Sequence, residues 1–320
     1  KTVLKKCFCH GALFLNLPYL FLNRKNTALE KLLWRIVSDG SERFDTHFDL
    51  AVSYIEGGSA YYVHDHVSAA KKAAFIHVDY VQAGYTRRLD KDCYVDFDRI
   101  FAVSDETAGV FAGVYPECQQ KLSVCHNLID TEAIRQKALL PTEKAMHEGI
   151  RLLTVGRLTP QKGFDCAVYA LKLLLEKQYP VYWYIIGEGP EYGRLTQLAR
   201  SLHVEDHFIF LGMQTNPYPY FKMADFYIHA TRFEGKSIAI QEAQVLGCAI
   251  AASDCSGNRE QIVSGVDGLL CPFSPEDIAN AVEYLIEHPQ TAESFGREAA
   301  QKACHFENDI HMIRDLLYSP

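Results

Sequence analysis

"RLLTVGRLTPQKGFDCAVYALKLLLEKQYPVYWYIIG" (residues 151–187) decides the fold. Two continuous apolar runs, 151–156 and 181–187, bracket an amphipathic stretch, 164–177, with helical spacing. Strands apolar throughout, rather than on alternate positions, belong to a sheet covered on both faces. A helix between two of them makes the pair parallel. The pattern continues through "HFIFLG" (207–212), "FYIHA" (226–230), "CAIAAS" (248–253) and "GLLC" (268–271), with "EYGRLTQLARSL" (191–202) as another amphipathic spacer. Ser274 followed by Pro275, Glu276 and Asp277 opens a helix: a serine cap, a proline at the first position and acids in the first turn.

The first half repeats the alternation less regularly, with candidate strands at 48–54, 72–78, 98–104 and 121–127. Ser104 caps a helix that follows. Between the halves, "ALLPTEKAMHEGI" (138–150) loses periodicity and holds proline and glycine, as a linker does. The expectation is an α/β protein of two doubly wound, Rossmann-like domains, 1–145 and 146–305, with a C-terminal helix in 306–320 that can cross back to the first. Ligands of such sheets sit at the carboxyl ends of the strands, and two facing domains place them in a cleft.

The 320 residues are 48% hydrophobic and 22% charged, an ordinary globular composition long enough for two cores. A net charge of −8 argues against nucleic-acid binding, which needs a basic surface. The balance is uneven. Residues 1–40 carry seven cations and two carboxylates, net +5, leaving −13 for the rest. The same end holds "ALFLNLPYLFL" (12–22), too short for a membrane span. A peripheral membrane contact through residues 1–40 is one reading; a buried element flanked by solvated lysines is the more frequent outcome. The ten cysteines include no C-x-x-C pair, and most fall in apolar runs. They read as free thiols of a reducing cytosol, so a cytoplasmic protein is expected, with attachment at the inner face of the membrane as the variant.

Three stretches bear on chemistry. In "GRLTPQKGF", Arg157 and Lys162 follow a strand and precede a helix, a suitable place for a diphosphate, although the P-loop pattern is absent and two solvated cations are the commoner outcome for such a pair alone. "GEGPEYG" (187–193) is a poor dinucleotide fingerprint and an ordinary tight turn. "EGKSIAIQEAQVLG" (234–247) is a turn and helix with Glu242 among Ile238, Ala239, Val245 and Leu246. Eight residues of helix rise about 12 Å, so Glu234 and Glu242 are not a close acid/base pair of the kind about 5 Å apart. They suit two separated points of an extended ligand, with the amides of Gly235, Lys236 and Ser237 facing a phosphate. A structural salt bridge for Glu242 is as good an account on the physics alone.

Together "GRLTPQKG" (156–163), "IIGEGPEYGRL" (185–195), "FLGMQTNPYPYFKMADFYIHATRFEGKSIAIQEAQVLG" (210–247) and "GVDGLLCPFSPEDIANAV" (265–282) resemble the nucleotide-sugar domain of retaining GT-B glycosyltransferases of family 4 type. The resemblance covers about residues 150–290. "FDLAVSYIEG", "AAFIHVDY" and "IFAVSDET" more weakly resemble the acceptor domain of bacterial surface-polysaccharide members.

The resemblance implies a metal-independent hexosyltransferase that uses a nucleotide sugar, UDP-linked, as co-substrate, with no cofactor and no metal. The acceptor is a glycan or lipid-linked hydroxyl. It gives the diphosphate to Arg157 and Lys162, beside Gly156. It places Glu234 near the donor sugar and Glu242 on the ribose, and sets the amides of Ser237 and Ile238 on the phosphate, with Gly235 and Lys236 beside them. Gly187 lines the cleft, and Gly212, Met213 and Asn216 frame the base. His77 lies near the transferred sugar, with Asp79 a lesser candidate. The family's "E-G-F/C-G" is "EGKS" here, and its opening strand and glycine-rich loop have no counterpart before Asp49, which implies a truncated first domain. A non-catalytic nucleotide-sugar-binding relative is therefore the alternative. An epimerase would need further carboxylates that the sequence does not place. "HDH" (64–66) is no shared metal site on a helix, where residues two apart diverge.

Overall fold

A computed structural model describes residues 29–142, 144–303 and 309–318. The basic end and the apolar run 12–22 lie outside them. The chain forms two compact units, 1–127 with 308–320, and 128–307.

The first unit holds a parallel sheet of four strands in the order β1-β2-β3-β4: β1 (His47–Ser53), β2 (Ser68–Ile76), β3 (Arg99–Ala102) and β4 (Leu122–Val124). Alternate residues go to opposite faces. Ala74, Ile76 and Ile100 join Tyr61, Tyr94, Phe111 and Tyr115 in one apolar cluster, while Ala73, Phe75 and Phe101 pack with Leu316 of the helix Ile310–Tyr318. That helix is tied down further: Asp309 Oδ2 accepts from the His126 amide at 2.7 Å, and Lys71 Nζ donates to the Leu316 carbonyl at 3.0 Å. Before β1, the described chain is the helix Leu29–Asp39.

The second unit is a six-stranded parallel sheet in the order β10-β9-β8-β5-β6-β7, with β5 (Ile150–Val155), β6 (Val181–Ile186), β7 (Phe208–Gly212), β8 (Phe226–His229), β9 (Ala249–Ser253) and β10 (Leu269–Cys271). Leu152, Trp183, Ile185 and Ile228 face the helices 164–176 and 275–287, whereas Leu153, Tyr184, Ile186 and Tyr227 face Ile240, Ala243 and Phe221. Both faces are thus covered, which is why the strands are nearly continuous apolar runs, with Arg151, Thr154, His229 and Ser253 as exceptions. Ser274 Oγ accepts from the Asp277 amide at 3.1 Å and Ser104 Oγ from Thr107 at 3.2 Å, so both sequence-read caps form.

The division falls after Asn127 rather than near 145. The helix Thr131–Lys137 belongs to the second unit because Ile134 buries against Val245 and Ala303. The chain leaves β5 toward β6 and β7, then returns to β5's other side with β8 and proceeds to β9 and β10. Between β5 and β8 the connections diverge, and in such a sheet this opens a crevice at the carboxyl ends.

Candidate active site

The loops after β5 and β8 therefore flank the same crevice. Residues 156–163 close with the short 3-10 turn Pro160–Lys162 and Gly163, at φ 62°. A side chain at Gly163 would meet the Ala230 carbonyl, so glycine lets the two loops touch. They are laced by a backbone bond, Arg232 N–H to the Gln161 carbonyl at 2.8 Å, and by Gln161 Nε2 donating to the Phe233 carbonyl at 3.0 Å.

Lys162 and Glu234 face each other from these loops as a close ion pair. Glu234 is buried, and burial pushes its carboxyl up, but Lys162 and the His229 ring, 3.4 Å from its Oε2, overcome that and hold it at about 2. It is therefore ionised at neutral pH. Arg157 stands exposed nearby in sequence, with no partner for its guanidinium among the described residues. The arrangement offers one cation committed to an ionised carboxylate and a second, exposed, in the same loop.

Across β5, β6 and β7 the strands end in glycines. Gly156 N–H donates to Ile186 O at 2.9 Å and Gly187 N–H to Gly212 O at 3.0 Å. Gly187, at φ 143°, lies so close to Gly156 that a Cβ would sit 2.0 Å from its carbonyl oxygen. Met213 beyond them is exposed, whereas Asn216 is an anchor, donating to the Lys137 carbonyl at 2.9 Å.

The helix Ile238–Val245 starts at Ser237, whose Oγ accepts from Ile240 N at 3.4 Å. Its buried face matches the expected one in part: Val245 is buried and Ala239 and Leu246 pack against the core, but Ile238 is exposed. Ile240, Gln241, Ala243 and Gln244 are inside as well, Gln244 donating to the Gln261 carbonyl at 2.7 Å. Nor is the Ser237 amide free, as the turn suggested. Gln261 grips that residue's backbone, accepting from its N–H at 2.7 Å and donating to its carbonyl at 2.8 Å. Gly235 is buried and Lys236 half-buried. Glu242 is half-buried, takes a hydrogen bond from the Tyr218 hydroxyl at 3.0 Å, and has its pKa raised by burial against that bond.

His77 lies in the first unit, just past β2. Its amide donates to Glu56 Oε2 at 2.8 Å, its Nδ1 is 3.9 Å from the same oxygen, and burial lowers its pKa against the pull of Glu56. Asp79 is a turn cap, accepting from the Val81 and Gln82 amides. Of the HDH residues, His64 bonds Asp65 and Asp96 and His66 stacks on Tyr62.

Sequence reasoning missed His229, Tyr218, Gln261, Glu56 and Gly257. The last packs so tightly that a Cβ would lie 2.1 Å from the Gly235 carbonyl oxygen. A glycine soon after an apolar strand, and a histidine ending one, were the available signals.

Residues 131–302 match the family described as glycosyl transferases group 1. The chain is 30% identical over 200 residues to a Campylobacter jejuni enzyme, N-acetylgalactosamine-N,N'-diacetylbacillosaminyl-diphospho-undecaprenol 4-alpha-N-acetylgalactosaminyltransferase, covering 62% of this chain and 53% of that one. It is 27% identical over 242 residues to D-inositol 3-phosphate glycosyltransferase 2 of Catenulispora acidiphila, covering 69% and 55%. The matched region thus spans about half the length of these relatives. Among solved structures, the Anabaena protein HepE in complex with UDP and glucose superimposes with a TM-score of 0.70 at 17% identity, over 90% of this chain and 80% of that one. The shared architecture is GT-B, with two Rossmann-like domains.

Proposed function

The chain belongs to the glycosyl transferases group 1 family, and from that premise we propose that it is a retaining, family 4 type glycosyltransferase moving a sugar from a UDP-linked donor to a hydroxyl of a glycan or lipid-linked acceptor. One observation carries the reading: the Lys162–Glu234 pair at the sheet's switch point, with Arg157 open in the same loop and Glu242 on the helix that follows. The cations take the diphosphate, and Lys162 exchanges part of its bond to Glu234 for it. Glu234, ionised, accepts from a sugar hydroxyl. Glu242, oriented by Tyr218, accepts from the ribose. As the glycosidic bond breaks, negative charge grows on the leaving phosphate, and in this reading Arg157, Lys162 and the positive end of the helix 238–245 stabilise it. We assign His77 the role the resemblance implies, contact with the transferred sugar. The Campylobacter relative's diphospho-undecaprenol substrate favours a lipid-linked acceptor.

Calorimetric titration with UDP, GDP and ADP tests this. UDP binding is expected to be tightest, and E242Q to weaken it about tenfold with the fold intact, the effect of losing a charged hydrogen-bond partner. Silence to all three nucleotides, or an E242Q variant that binds UDP as tightly as the wild type, overturns the reading.

A further inference from the structure

His229 ends an otherwise apolar strand and is 2% exposed. An imidazole in that place needs a reason, because a buried polar ring without partners is costly. Its Nε2 lies 3.4 Å from Glu234 Oε2 and its Nδ1 3.2 Å from the Tyr227 hydroxyl. An ionised carboxylate only accepts, so Nε2 carries the proton. Nδ1 of a neutral ring is then an acceptor, and the Tyr227 hydroxyl donates to it. The hydroxyl's other contact, to the Val155 carbonyl at 3.5 Å, is the longer of the two. Burial pushes the ring toward neutrality, against the pull of Glu234. Lys162 and His229 both meet Oε2 of Glu234, and Oε1 has no partner among the described residues.

We infer that His229 is a positioning residue: its Nε2–H, set by Tyr227, pins one oxygen of Glu234 beside Lys162 and leaves the other aimed at a hydroxyl of the donor sugar. The inference rests on the proposed function. It concerns a residue to which that reading gives no contact with phosphate or sugar, and it deepens that reading by separating sugar handling from nucleotide binding.

The test compares H229L, H229Q and Y227F by calorimetry with UDP, by donor kinetics, and by nitrogen-15 NMR of the wild-type ring. H229L is expected to keep the Kd for UDP within about twofold while kcat falls about tenfold, the scale of one lost hydrogen bond to a charged group. H229Q, whose amide can donate to the same oxygen, regains most of the rate, and Y227F lies between. The ring shows the Nε2–H tautomer and is harder to protonate than an ordinary imidazole, because it is buried. A folded H229L with unchanged kcat, an H229Q no better than H229L, or an Nδ1–H tautomer overturns the positioning role and leaves the glycosyltransferase reading standing. A wild type that binds no nucleoside diphosphate overturns both.

Discussion

Glu234 is 8% exposed and yet ionised, because burial raises its carboxyl while Lys162 and His229 pull it down to about 2 from an ordinary 4.5. A carboxylate with a lower pKa in the folded state than in the unfolded one stabilises above the unfolded value, and that contribution is lost as pH falls through the folded one. The stability gap between the wild type and E234Q, read by urea titration, should therefore be full above about pH 4.5 and shrink toward about pH 2. A gap that does not vary with pH would mean the pair does not set this titration. Both members were legible as parts of motifs. Their pairing was not, since it spans two loops that only the sheet brings together. His229 carried no sequence signal beyond a polar residue at a strand end.

Short loops and one helix, rather than long elements, build the site, and glycines set how closely they approach. Gly257 lies against the Glu234 and Gly235 carbonyls, and a Cβ there would be 2.1 Å from the nearer. Gly193, in the helix Tyr192–Ser201, has nothing within 4 Å. G257A should displace the Glu234 loop, lowering kcat/KM for the donor about tenfold or more, whereas G193A should leave activity unchanged and gain about 0.5–1 kcal/mol of stability from the better helix former. Equal behaviour of the two variants in kinetics and thermal unfolding would contradict this. The helix 238–245 itself was readable from its start and stop signals, and its buried face only in part. Gln241 and Gln244 count as polar in a pattern and are buried here, with Gln244 bonding the backbone at Gln261.

Across the whole chain, the C-terminal helix closes the second face of the first sheet, with Leu316 against Phe75 and Phe101. L316A should cost about 2–3 kcal/mol in urea unfolding, the usual loss for a buried leucine, and leave UDP binding by the second unit within about twofold. An unchanged midpoint would show that the helix does not complete that core. Among the described residues no helix is long and apolar enough to cross a membrane.

The strands, their parallel direction and the two serine-capped helices were determined by the sequence alone, because burial on both faces forces continuous apolar runs and capping is a local bond. Which loops meet, where the chain divides, and which oxygen of Glu234 faces Lys162 were decided only by the tertiary structure. Those depend on strand order and on contacts between residues far apart in the chain, such as Lys162 with Glu234 and Ser237 with Gln261, which no local pattern encodes.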